Sequence, residues 1–139
     1  MPKIEISDGA ADLEEQPPAS KLINRRLVGV DDTGEVSIAF EARAEFTNRH
    51  GTVQGGFLAA MLDSATAFTL LMALPVDQTA VTARLETTFV KPAHPGALMA
   101  HARILKRNER HATVVAALKT PEGVVVARAQ ASLRILPRR

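Results

Sequence analysis

The chain is organised around NRHGTVQGG, residues 48–56, which leads directly into FLAAMLDSATAFTLLMAL, residues 57–74. The first part is a polar stretch with three glycines, and the second is an apolar run closed by Pro75. Ala, Leu and Met favour helix, and the run is too long for an ordinary strand. The pattern therefore predicts a loop followed by a helix that begins at the paired glycines and ends before Pro75. Because Asp63 is the only ionisable side chain in it, we expect this helix to be buried on more than one side.

A transmembrane span is the alternative reading of this run, since about 20 apolar residues can cross a bilayer. Asp63 would then lie near the bilayer centre, at a cost of about 2.5–3.5 kcal/mol. Ala and Thr make up much of the run and offset little of that cost. We therefore expect a core helix and no membrane association.

Alternation with a period of two, typical of half-buried strands, covers most of the remaining chain. Two strands are predicted before the helix, at Leu22–Val30 and Glu35–Phe46, separated by a DDTG turn. Alternation returns after the helix over residues 81–89. Side chains on one face of that strand are Val81, Ala83, Leu85, Thr87 and Phe89, and those on the other are Thr82, Arg84, Glu86 and Thr88.

Three further strands are predicted over residues 98–104, 111–119 and 124–136, joined largely by short turns. Short turns favour antiparallel neighbours. The order of two strands, one long helix and four strands predicts an α+β domain. In it, one curved antiparallel sheet of about six strands wraps the helix.

Composition fits a single globular domain. The 139 residues are 46% hydrophobic and 23% charged, which is ordinary for a domain with its own core. The chain has no cysteine, which excludes disulfides, thiolate metal ligands and thiol nucleophiles. Residues 1–20 are acidic, contain a Pro-Pro pair and lack an apolar run. We expect a flexible arm there, a domain over residues 21–139 and, with no signal peptide recognised, a cytoplasmic location.

The net charge of +2 is unevenly distributed. Residues 1–100 hold 8 Lys/Arg against 13 Asp/Glu, whereas residues 101–139 hold 9 against 2. The C-terminal quarter is therefore suited to a polyanion, either nucleic acid or a phosphate-bearing small molecule. The chain lacks Trp and Tyr and carries no recognised nucleic-acid motif, so nucleic acid is the weaker choice. The four histidines have no metal-ligand spacing, and no metal is expected.

The sequence resembles the hotdog-fold thioesterases, specifically the phenylacetyl-CoA thioesterase-like branch, over roughly residues 21–139. Family members carry a segment close to N-x-x-G-x-x-H-G-G, followed by an apolar helix with an acidic residue about two turns in. Here that segment is NRHGTVQGG, and the acidic residue is Asp63. The resemblance implies a hotdog fold and hydrolysis of an acyl-CoA to free acid and coenzyme A, with no further cofactor. It also implies a homodimer, often arranged as a dimer of dimers.

Gln54 departs from the family pattern, which often has His immediately before the paired glycines. Gln forms hydrogen bonds but cannot titrate, so a catalytic role that depends on that His is not carried over. Gln54 stays among the candidate catalytic residues, as a hydrogen-bonding group. The resemblance also matches Thr82 to a hydroxyl residue that helps to position water. Glycine at the start of the helix lets a substrate approach the backbone closely, so Gly56 is a candidate substrate-binding residue.

Thioester hydrolysis needs stabilisation of charge on the carbonyl oxygen and activation of water, or direct attack on the carbonyl carbon. A helix N-terminus offers free N–H groups, so the Gly55 N–H is a candidate oxyanion donor. Alternatively, Gly55 merely lets the loop turn into the helix. Asp63 is the candidate general base or nucleophile, because a lone carboxylate in an apolar helix is costly unless paired or used. Its alternative is a carboxylate satisfied in the core or exposed at an edge.

Asn48 is a further candidate, either orienting the carbonyl or water or simply ordering the loop as an Asx turn. Gly55 and Asp63 are eight residues apart, which is about 12 Å along a helix and roughly 80° around it. One thioester carbon cannot easily touch both within one subunit. The spacing therefore predicts a site shared across a homodimer interface, with Asn48 and Gly55 from one chain and Asp63 from the other.

Basic residues near a late turn are candidates for coenzyme A docking, because Arg offers forked donors to phosphate. They are Arg103, Lys106, Arg107, Arg110 and Arg134. The alternative for each is a solvated surface charge. Two other functions stay open for the whole chain. One is a non-catalytic acyl-CoA-binding or sensing module, and the other is a hotdog dehydratase acting on hydroxyacyl thioesters, which Gln54 disfavours.

Overall fold

The computed structural model describes residues 16–138. Its long helix, α2, spans Gly55–Ala73. The six strands are β1 (Arg26–Val30), β2 (Val36–Ala42), β3 (Gln78–Phe89), β4 (Gly96–Arg107), β5 (His111–Lys119) and β6 (Val125–Pro137). A short helix α1 (Pro18–Leu22) precedes β1, and a 3-10 helix (Ala44–Phe46) follows β2. All strand pairs are antiparallel, in the order β1-β2-β4-β5-β6-β3. This confirms the predicted architecture.

Helix α2 is the core element that the sheet encloses. It packs against β2, β3, β4, β5 and β6, and Met61, Leu62 and Leu70 are fully buried on it. Truncating a side chain such as Leu62 to Ala would cost about 2–5 kcal/mol. In the described residues α2 is also the one helix long and apolar enough to span a membrane, a test that core helices pass as well. Here half of its most apolar stretch is buried inside the domain.

The segment before β1 differs from the prediction. The strand expected at Leu22–Val30 begins only at Arg26, because residues 18–22 form α1. Pro18 lies in the first turn of that helix, where its missing N–H costs nothing. Most of the predicted arm lies outside the described residues, and its last three residues belong to α1.

Arg25 joins this segment to α2. Its guanidinium stacks on the Phe68 ring at 4.1 Å, and its Nη1 donates to Ser64 Oγ at 3.4 Å. The residue is only 7% exposed. Burial disfavours the charged form, and it lowers the pKa of Arg25 from its ordinary value. Stacking over an aromatic face offsets part of that desolvation cost.

The second predicted strand, Glu35–Phe46, is too long at its C-terminal end. β2 stops at Ala42, and the 3-10 helix turns Phe46 inward. There the Phe46 ring stacks on Phe57 of α2, with ring centroids 4.2 Å apart. Phe46 therefore belongs to the aromatic pair with α2 and not to the strand.

A β-bulge interrupts the predicted alternation in β3. Thr82 pairs with Leu133 of β6, but the next paired residue is Arg84, opposite Ser132. The extra residue, Ala83, changes the face on which the following side chains lie. Thr82 therefore points to α2 on the same face as Leu85, and Val81 lies outward with 48% exposure. The predicted grouping of Val81 and Ala83 with Leu85 was wrong.

Candidate active site

The N-terminus of α2 presents free backbone donors. Gln54 is the N-cap residue, and its exposed side chain makes no capping hydrogen bond. Its backbone N–H donates to the Phe46 carbonyl at 2.8 Å, which fixes the start of the helix. Within residues 16–138, the N–H groups of Gly55 and Gly56 have no acceptor. Free N–H groups at a helix N-terminus carry partial positive charge, so they can bind an oxyanion.

Asn48 orders the loop that leads to these donors. Its Oδ1 accepts from the His50 N–H at 2.9 Å and the Thr52 N–H at 3.3 Å. Its Nδ2 donates to Thr52 Oγ1 at 3.0 Å, and Gly51 completes the turn at φ +78°. This is the loop-ordering arrangement that the sequence allowed for Asn48. Contact of Asn48 with a carbonyl or with water stays a prediction.

Asp63 of α2 and Thr82 of β3 meet where the helix packs against the edge strand. Thr82 Oγ1 donates to Asp63 Oδ1 at 2.8 Å, and both residues are half-buried. In the described residues Oδ2 of Asp63 has no hydrogen-bond partner. The bulge at Ala83 turns the Thr82 hydroxyl toward α2, so the carboxylate is held by one oxygen and free at the other.

Phe89 covers Gly55 at the far end of β3. A Cβ atom on Gly55 would lie 3.2 Å from Phe89 Cε1, closer than most real contacts of this kind. Gly55, Leu58, Phe89 and Pro92 line an open cavity of about 310 Å³ at the start of α2. Phe89 is a site residue that the sequence interpretation missed. Its aromatic type at the end of a strand was the only available signal.

The basic candidates fall into two groups. Arg107, Arg110 and Arg134 line a cavity of about 810 Å³ beside Gln78, where β3 begins. Lys106 and Arg107 also line a smaller one at the β4–β5 turn. Arg103 instead lies in a cavity on the face of the sheet turned away from α2. The basic residues predicted to act together are therefore not all brought together.

The candidate site residues likewise form two groups within one protomer. Asp63 and Thr82 form one, and the Gly55 terminus with its loop and Phe89 forms the other. Eight helical residues separate Asp63 from Gly55, about 12 Å along α2. The structure therefore keeps the separation that the sequence predicted.

An antiparallel sheet wrapped around one long helix in this way is the hotdog fold. A family model of the thioesterase superfamily matches residues 50–127, which is more than half of the chain. The chain therefore belongs to the thioesterase superfamily, and this membership supports thioester hydrolysis as its general chemistry.

Solved structures agree with this assignment. A phenylacetic acid degradation-related protein from Ralstonia eutropha JMP134 is 30% identical, with a TM-score of 0.84 over 90% of this chain and 95% of its own. The PaaI protein of the E. coli phenylacetic acid degradation operon is 18% identical, with a TM-score of 0.82 over 95% and 96%. A thioesterase from Haemophilus influenzae is 12% identical, with a TM-score of 0.81 over 88% and 85%. The last two show the fold alone. No curated protein matches the chain.

Proposed function

We propose that the chain is a cytoplasmic acyl-CoA thioesterase that cleaves its substrate to free acid and coenzyme A and works as a homodimer. The observation that carries this proposal is the hydrogen bond from Thr82 Oγ1 to Asp63 Oδ1 at 2.8 Å. A carboxylate on an apolar helix, fixed at one oxygen and free at the other, is suited to act on a bound reactant. The names of the relatives from phenylacetic acid degradation support an acyl-CoA ester as the reactant.

Asp63 supplies the base or the nucleophile in this proposal. As a base, its free oxygen takes a proton from water, and the water oxygen attacks the thioester carbon. As a nucleophile, it attacks that carbon itself, and water then hydrolyses the resulting anhydride. In both routes the C–S bond breaks and coenzyme A leaves as the thiolate, which is then protonated. Thr82 acts as a positioning residue that sets the direction of the carboxylate.

The Gly55 N–H stabilises the negative charge that develops on the carbonyl oxygen. It is free at the N-terminus of a 19-residue helix, and an oxyanion-hole donor is worth about 10²–10³ in kcat. Gly56 lets the substrate approach the backbone, and Gln54 offers a neutral hydrogen-bonding side chain at the same edge. Asn48 acts by holding the loop that sets the position of these groups.

Two copies of the chain are needed to bring the two groups of residues together. β3 is a 12-residue edge strand whose outer edge is unpaired in the described chain, and a long exposed edge is a template for pairing with another strand. Val81 is 48% exposed on it and Phe89 is 54% exposed. Antiparallel pairing of β3 with β3 about a two-fold axis near Leu85 would bring the start of one β3 beside the end of the other. Thr82 and Asp63 of one copy would then lie beside Gly55 of the other.

The same pairing would place a basic surface for coenzyme A next to the reacting groups. The cavity that contains Arg107 and Arg110 adjoins Gln78 at the start of β3, the end that would face the Gly55 cavity of the second copy. Arg110 is held in place because its carbonyl accepts the Ile135 N–H at 2.7 Å. We assign phosphate docking to Lys106, Arg107 and Arg110 of the copy that supplies Asp63. A further dimer of dimers stays a prediction.

The test is thiol release from a panel of acyl-CoA esters with short, long and aromatic acyl groups, phenylacetyl-CoA among them. Because the chain has no cysteine, a thiol reagent reads only released coenzyme A. We expect turnover with the wild type and a loss of about 10³-fold or more in Asp63→Asn, since the neutral amide is neither base nor nucleophile. Circular dichroism and sedimentation should show that the variant keeps its fold and its oligomeric state.

Undiminished turnover in Asp63→Asn would refute this mechanism but not the thioesterase activity. Absence of turnover across the whole panel would refute the enzyme itself. Saturable binding of the same esters without turnover would then identify the acyl-CoA-binding module as the function.

Co-expression of two inactive chains tests the shared site separately. One chain carries Asp63→Asn and the other carries Gly55→Pro, which removes the N–H, and the heterodimer is purified with two different tags. If the site is shared, one of its two sites is intact, and activity should return to about half of the wild-type value per dimer. A heterodimer as inactive as its parents would place both groups within one protomer.

A further inference from the structure

The face of the sheet turned away from α2 carries a cavity of about 580 Å³. Its floor is formed by small side chains of β5, Val115 and Ala117. Val115 pairs with Arg103 on β4, and Ala117 pairs with Arg128 on β6. The two arginines thus stand on either side of β5, about 10 Å apart across the strands and two residues apart along them. Lys119 follows along β5 and lines the same cavity.

Two carboxylates line this cavity. Glu86 pairs with Arg84 at 2.7 Å, and Glu35 lies 3.6 Å from His101 Nδ1, which is an ion pair only when His101 is protonated. In contrast, the three cations Arg103, Lys119 and Arg128 have no carboxylate partner within residues 16–138.

The Nε atom of Arg103 is moreover buried without a hydrogen bond. A buried donor left unsatisfied is costly. The cavity therefore presents more positive charge and more donors than the chain itself satisfies, which is the composition of an anion site.

We propose that this cavity is a second ligand site, which binds a phosphate-bearing anion with at least two phosphate groups. Each phosphate offers three strong acceptor oxygens, and two guanidinium forks with one ammonium supply the matching donors. Thr88 and Gln130 also line the cavity and add polar contacts. The volume lies in the range of small-molecule sites. The sheet separates this site from Asp63, so it does not depend on the proposed hydrolysis.

A second copy of the chain is a poorer occupant. A two-fold contact centred on this cavity would bring three unpaired cations of one copy against the same three of the other, which is unfavourable without an anion between them. The cavity is also distinct from the turn that carries Lys106, Arg107 and Arg110. Arg103 therefore lines a different cavity from those three residues.

Isothermal titration calorimetry with sodium pyrophosphate tests the proposal on the full chain. We expect one pyrophosphate to bind saturably at this cavity in each chain, and this binding should weaken as salt is raised. Arg103→Gln and Arg128→Gln should each weaken it about tenfold or more, because each removes charged hydrogen bonds. Arg103→Lys keeps the charge but loses the forked donors, so its affinity for pyrophosphate should lie between those of the wild type and Arg103→Gln. Arg43→Gln removes one exposed charge away from the cavity and should leave binding unchanged.

Several outcomes would overturn the proposal. One is the absence of saturable binding to the wild type, and another is an equal loss in Arg43→Gln, which would mean general charge screening. Loss in Arg110→Gln with none in Arg103→Gln would move the site to the turn. Citrate binding as tightly as pyrophosphate would exclude selectivity for phosphate. A change of sedimentation in Arg103→Gln, without pyrophosphate binding to the wild type, would make this face an interface between copies.

Discussion

The Thr82 hydroxyl is the one side-chain group in the described chain that holds the Asp63 carboxylate, at 2.8 Å. Thr82→Val keeps the shape and the strand preference of the residue but removes the donor. A hydrogen bond to a charged group is worth about 1.5–3 kcal/mol, so we expect kcat to fall about 10- to 100-fold with little change in KM. Steady-state kinetics on the acyl-CoA substrate check this.

Thr82→Ser is the matched control, because it returns the hydroxyl without the methyl group. Recovery of kcat in the serine variant would show that the donor matters rather than the packing. A valine variant with full kcat would mean that Asp63 needs no such support.

Two substitutions at Gly55 separate the effect of losing the amide donor from the effect of crowding Phe89. It occupies the first position of α2, where proline is well tolerated, and Gln54 before it has extended dihedrals of −56° and 133° that suit a following proline. Gly55→Pro removes the N–H, and we expect it to lower kcat about 10²–10³-fold. Gly55→Ala crowds Phe89 in the same way but keeps the N–H. If both variants lose activity equally, crowding is the cause and the oxyanion role is wrong.

At the scale of elements, the β1–β2 turn carries a carboxylate whose effect depends on pH. Asp31 Oδ1 accepts from the Thr33 hydroxyl at 2.6 Å, the Thr33 N–H at 2.8 Å and the Glu35 N–H at 3.0 Å. The Thr33 hydroxyl, followed by these backbone donors, lowers the pKa of Asp31 below its ordinary value. A lowered folded-state pKa stabilises the fold above the unfolded pKa, and this stabilisation is lost as the pH falls through the folded value.

We therefore expect the wild type to exceed Asp31→Asn in stability near neutral pH, and the gap to close below about pH 4. Urea unfolding of both proteins from about pH 6 to about pH 3 measures this. Asp32→Asn removes a neighbouring exposed carboxylate that makes none of these hydrogen bonds. The difference in stability between the wild type and Asp32→Asn should therefore not close in the same way. A constant gap for Asp31→Asn would contradict the prediction.

The elements differ in how far the sequence determines them. The bounds of α2 follow from composition, since helix formers fill it, glycines open it and Pro75 lies beyond its end. The sequence does not predict the helix α1, because Leu22 and the residues after it also fit a strand, and a Pro-Pro pair is equally typical of a flexible arm. The bulge at Ala83 leaves no local signal, because it exists only in the pairing of β3 with β6.

The residues of the candidate site also differ in how far the sequence predicts them. Asp63 stands out as a lone carboxylate in an apolar run, and glycines mark the start of the helix. Phe89 could not be assigned, because its contact with Gly55 joins residues 34 positions apart. Arg25 could not either, because a buried cation is recognised only with its partners, here Phe68 and Ser64.

For the whole molecule, the free edge of β3 determines whether a complete site forms. Val81→Asp replaces an exposed apolar side chain of that edge by a charge that pairing would remove from water, so we expect it to dissociate the dimer and to abolish turnover together. Val28→Asp is the matched control, because Val28 is 57% exposed on the opposite edge strand β1. Sedimentation velocity and the thiol-release assay check both. An active, dimeric Val81→Asp variant would refute pairing through β3.

The strand order also determines when each strand can pair during synthesis of the chain. β3 is the third strand to leave the ribosome, whereas β6, its neighbour in the described sheet, is the last. Until then the nascent chain carries an unpaired strand beside an apolar helix, and such late, distant pairing slows folding and exposes a chain to aggregation. The same event brings Thr82 to Asp63. A chain that stalls before its final strand therefore lacks both the closed sheet and the reactive pair.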